Sequence, residues 1–105
     1  MAWLYLFSAG ILEVVWAFTM KQSDGFSRPG PTAITIVTMI GSFALLSLAM
    51  RSLPLGTAYT IWTGIGAVGA FLVGVTVLGE ALTPMRIAAA VLIVSGLVMM
   101  KLAAQ

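Results

Sequence analysis

Four apolar segments of about twenty residues each set the limits on what this chain can fold into. They run over Trp3–Met20, Pro31–Met50, Leu55–Leu78 and Pro84–Leu102, and the second and third hold no charged residue. About 20 helical residues at 1.5 Å each cover the ~30 Å hydrocarbon core of a bilayer. The connections "KQSDGFSRPGP", "RSLPLG" and "GEALTP" gather glycine, proline, serine and charge, as turns at a membrane surface do. Composition agrees: 61% of residues are hydrophobic and 8% charged, against roughly a quarter charged in soluble domains. Arg86 and Lys101 sit near the ends of the fourth segment, where alkyl stems let their charges reach the headgroups. The first segment has no basic region before it and carries an acid in its middle, so it reads as a span rather than a cleaved leader. The expected fold is all-α integral membrane, one four-helix transmembrane domain over residues 1–105 with no extramembrane domain.

The residue inventory excludes several kinds of chemistry. Cysteine and histidine are absent, which removes thiol and imidazole metal sites, Ser-His-Asp catalysis and a histidine pH switch. No metal or cofactor is expected, and nothing in the chain would activate a nucleophile, so an enzyme is not expected either. The net charge of +2 is spread thinly. No basic cluster of the kind that binds nucleic acid is present.

Charge says something about orientation. Four spans put both termini on one side, here side A, with Arg51 and Lys101; side B holds Lys21, Arg28 and Arg86. Orientation normally follows a clear Lys/Arg excess in cytoplasmic loops, and two against three is nearly no instruction. Either a weak preference places side B inside, or the chain inserts both ways.

Glu13 is the most informative residue. A carboxylate at mid-bilayer costs at least ~2.5–3.5 kcal/mol, and no base inside the four spans can neutralise it. It is either permanently protonated and bonded to a neighbouring helix, or it alternates between a proton and a bound cation. By helical rise Glu13 lies about 15 Å from side A, Trp62 roughly 12 Å from side A, and Ser42 roughly 16 Å from side B. All three depths fall near the midplane, as members of one polar site would.

Trp16 stands at i+3 and Gly10 at i−3 from Glu13, so one helix face reads small residue, acid, aromatic. Tyr59 and Trp62 repeat the i, i+3 aromatic spacing on the third helix. Such rings either sit at the headgroup belt, which suits Tyr59 and Trp3, or wall a cation site with their π faces. Gly66, Ala70 and Gly74 are spaced for close helix approach, and Gly64 with Gly66 would also permit a bend. Ala89 and Gly96, seven apart, suggest a packing or dimer surface on the fourth helix. One acid among four helices barely surrounds a pathway, whereas a dimer supplies two copies of Glu13. If insertion is dual, that dimer is antiparallel, the inverted-repeat arrangement of larger transporters.

The stretches "AGILEVVWA", "KQSDGF", "LPLGTAYTIWTGIGAVGA" and the "GE" before the fourth helix carry a resemblance over nearly the whole chain. The sequence resembles the small multidrug resistance family of proton-coupled exporters. Trp16 beside Glu13, and Ser42 followed by "FALL", resemble the guanidinium-exporting subtype. The resemblance implies an antiparallel homodimer of dual topology in the bacterial inner membrane. It implies that Glu13 of both subunits binds guanidinium or protons in exchange, with Trp16, Ser42, Tyr59 and Trp62 lining and orienting the site and the Gly64–Gly66 region flexing. Trp16 would narrow the space and offer a hydrogen bond to Glu13, favouring a small cation. Guanidinium, planar with several N–H donors, suits a carboxylate.

Met39 and Ala44 leave room for larger ligands, so export of quaternary ammonium or polyaromatic cationic drugs by the same mechanism is the alternative. A membrane subunit that transports nothing, with Glu13 serving only assembly, is a further one.

Overall fold

The computed structural model describes residues 1–103, which form four helices: α1 (Ala2–Gln22), α2 (Pro29–Ala49), α3 (Leu55–Thr76) and α4 (Pro84–Ala103). Each is long and apolar enough to cross a membrane, and there is no strand among the described residues. The chain is a multi-pass membrane protein.

The helix ends follow local chemistry. Helix α1 runs on to Gln22 and is stopped by Ser23, whose buried hydroxyl donates to the Met20 carbonyl at 2.6 Å and accepts the Phe26 N–H at 3.0 Å. Asp24, Gly25 and Phe26 then all take left-handed backbone angles, which breaks the helix sharply. Helix α2 starts at Pro29, two residues before the expected Pro31, because proline is well placed in a first turn. Helix α3 follows Pro54 and ends at Thr76, two residues short of the expected Leu78. Gly79 at φ +70° turns the chain back, and the Glu80 N–H bonds the Gly74 carbonyl at 2.9 Å. Apolar Val77 and Leu78 gave no polarity break to mark that end.

The bundle is a slab about 42 × 35 × 16 Å. Helix α1 packs along α2 and α3, whereas the backbone of α4 approaches α3 alone. The buried core joins Leu6 and Ala9 of α1, Leu46 and Ala49 of α2, and Ala58, Ile61 and Trp62 of α3, all in the half of the bundle toward side A. Helix α4 buries no residue. Between α1 and α2 the Thr19 and Thr35 hydroxyls bond at 2.7 Å, an interhelical bond of the kind that holds helices together in lipid.

Candidate functional site

Glycines decide how closely α3 approaches its neighbours. A Cβ on Gly66 would overlap the Glu13 carboxyl group, so that carboxyl lies directly on the α3 backbone. Next to it along the same seam, a Cβ on Gly69 would overlap Val14, and one on Gly10 would come within 2.6 Å of Ile65. On the other side of α3, Leu97 of α4 fills the space over Gly64. Gly64 and Gly66 are both buried within one continuous helix, and each admits a side chain from a different neighbour.

The Glu13 carboxyl is half-buried, and its Oε1 is buried without a hydrogen-bond partner. The Trp16 indole N–H is likewise buried and unpartnered, and no hydrogen bond joins the two side chains in this structure. Ser42, fully buried on α2, donates to the Ala9 carbonyl at 2.6 Å and accepts the Trp62 indole N–H at 3.0 Å. One hydroxyl therefore ties three helices together and fixes the Trp62 ring. The matching depths of Ser42 and Trp62 were the sequence signal for this contact.

Tyr59 packs on Trp62 with ring centroids 5.6 Å apart, while remaining 53% exposed on the open face of α3. Phe43, which was not singled out as a site residue, links the two indoles: it meets Trp16 edge-on at 6.3 Å and Trp62 at 5.8 Å. Four aromatic rings, Trp16, Phe43, Trp62 and Tyr59, thus form a chain across α1, α2 and α3. Such offset and edge contacts add about 0.5–1.5 kcal/mol per pair beyond area burial. Toward side B, α1 and α3 leave a cavity of about 140 Å³ that begins at Val14, beside Glu13, and ends at Lys21 and Glu80.

The fold is that of a four-span membrane protein with a half-buried carboxyl in its first span and a row of aromatic rings across three helices. The family model for Small Multidrug Resistance protein matches residues 1–103. The chain is 56% identical over 102 residues to the guanidinium exporter of Escherichia coli (strain K12), covering 97% of each chain. It is 55% identical over 104 residues to the guanidinium exporter of Salmonella typhimurium (strain LT2), covering 99% of each, and 54% identical over 102 residues to that of Citrobacter freundii, covering 97% of each. The chain belongs to the Small Multidrug Resistance family.

Proposed function

We propose that this chain is a proton-coupled antiporter that exports guanidinium-type small cations from the bacterial cytoplasm across the inner membrane. The observation that carries the proposal is the Glu13 carboxyl, lodged on Gly66 with an unpartnered buried oxygen, three residues before Trp16 on the same helix. A buried anion without a partner is costly, so the group stays neutral by holding a proton or is balanced by a bound cation. One carboxyl cannot hold both at once, and this exclusivity couples the two fluxes. The similarity to guanidinium exporters at 54–56% identity supports the choice of cation.

In this mechanism guanidinium donates N–H groups to Glu13 while the Trp16, Trp62 and Tyr59 rings wall the cation. Ser42 keeps Trp62 oriented through the 3.0 Å bond. Protonation from the acidic outer side releases the cation, and the protonated carrier returns. Each occupied state must be able to exchange inside for outside, while the empty charged state must not.

The slab is 16 Å thick, Phe43 and Tyr59 of the aromatic chain are exposed, and α4 has no fully buried residue. These features support a homodimer that encloses two Glu13 residues between its subunits, antiparallel in this reading. The two-against-three balance of Lys and Arg supports dual insertion. Transport rather than catalysis is the activity.

Vesicles loaded with protein and a pH dye test the proposal. Imposed guanidinium gradients are expected to drive opposite proton movement, with methylguanidinium similar and a bulky quaternary ammonium much slower. Proton movement driven by the quaternary ammonium but not by guanidinium would replace this substrate assignment with the drug-exporting one.

A further inference from the structure

A second apolar groove, separate from the Glu13 site, opens between α1 and α4 at the side A end. Its volume is about 260 Å³; Trp3 and Phe7 form one wall, Leu97 the other, and Ile61 and Ile65 of α3 the floor. Its only charged lining residue is Lys101, at the mouth. The Lys101 ammonium lies 5.4 Å from the Trp3 ring centroid and 5.9 Å from that of Phe7. Trp3 and Lys101 belong to the first and last turns of their helices, which is headgroup depth.

Charge selects the occupant. Side A carries Arg51 and Lys101 but no Asp or Glu, since the acids are Glu13 inside the bundle and Asp24 and Glu80 on side B. The ion pair among the described residues, Glu80–Arg86, is also on side B. A parallel second copy would bring Arg51 and Lys101 against Lys101. An antiparallel one would set its side B beside Lys101, with Lys21, Arg28 and Arg86 outnumbering Asp24 and Glu80, and Glu80 already paired with Arg86. Neither offers Lys101 a net negative charge, whereas an amphiphile with an anionic head matches both the mouth and the apolar floor.

We propose that the α1–α4 groove is a binding site for an anionic phospholipid, with one acyl chain lying over Ile61 and Ile65 and the headgroup phosphate on Lys101. The lipid covers the face that the separation of α1 from α4 leaves open. The Trp3 and Phe7 faces hold the ammonium in place for the phosphate.

The test uses the full chain in phosphatidylcholine vesicles doped, at equal mole fraction, with brominated-chain phosphatidylglycerol or brominated-chain phosphatidylcholine. Bromine quenches indole fluorescence on contact, and Trp3 lines the groove. The anionic lipid is expected to quench with about a five-fold preference, the factor that one surface lysine supplies. The preference should disappear in Trp3→Phe, which deletes the reporter, and in Lys101→Gln, and it should persist in Lys101→Arg. It should also disappear in Val98→Phe, which crowds the groove but keeps the cation, so a seated chain is separated from loose headgroup attraction. Equal quenching of the unaltered chain by the two lipids overturns the proposal. A preference that survives Lys101→Gln, Val98→Phe or Trp3→Phe overturns it as well.

Discussion

Gly66→Ala is the perturbation whose effect follows most directly from the structure. The added methyl would occupy the position of the Glu13 carboxyl group. Gly66 is buried in the middle of α3, so the methyl has no free direction. Either α1 and α3 separate or the Glu13 side chain leaves its place. Overpacking of this kind costs about 1–3 kcal/mol. If that cost falls on the cation-bound arrangement, guanidinium affinity drops by about 5–150-fold. Gly69→Ala is the control: its methyl would overlap Val14 on the same α1–α3 seam, with no carboxyl involved. Both variants are expected to lower thermal stability in detergent by similar amounts. In a guanidinium titration followed by tryptophan fluorescence, Gly66→Ala should lose affinity and Gly69→Ala should keep most of it. Equal affinities for the two variants would show that the Gly66–Glu13 contact is packing and no part of cation binding.

Two other outcomes are expected. Ser42→Ala removes the acceptor of the buried Trp62 N–H and the donor to the Ala9 carbonyl; an orphaned buried group costs about 1–3 kcal/mol. Thermal stability and guanidinium affinity should fall together, and Ser42→Thr should restore part of both. Dual insertion predicts that Ser27→Cys, exposed in the α1–α2 turn of a chain with no other cysteine, is labelled to about half by an impermeant maleimide in intact cells. Labelling near completion or near zero would mean a single orientation.

The spans were legible because twenty-residue apolar runs between polar turns have few other solutions. The i, i+3 spacing put Glu13 and Trp16 on one helix face, but the hydrogen bond expected between them is not made; the depths of Ser42 and Trp62 anticipated a contact that the structure makes at 3.0 Å. Which neighbour each glycine admits was hidden. The spacing of small residues announces close approach but does not say that Gly66 receives Glu13 and Gly64 receives Leu97. Phe43 was hidden for another reason. In a helix meant for lipid an aromatic residue has no contrast with its surroundings, so apolar pattern cannot tell a ring that bridges two indoles from one that faces acyl chains. The end of α3 at Thr76 was missed because Val77 and Leu78 are as apolar as the helix before them, and the glycine at φ +70° sets the turn.

The central claim is that a proton and a guanidinium ion compete for the Glu13 carboxyl. Raising the pH empties that carboxyl of protons, so cation affinity should rise with pH and level off once Glu13 is fully deprotonated. Proton release on cation binding is the most direct measurement: guanidinium is added to the purified protein in a weakly buffered solution below that plateau, and the pH is recorded. The account predicts that protons appear as guanidinium binds, and that Glu13→Gln abolishes both the release and the binding. Guanidinium binding without proton release at any pH, or release that persists in Glu13→Gln, would contradict it.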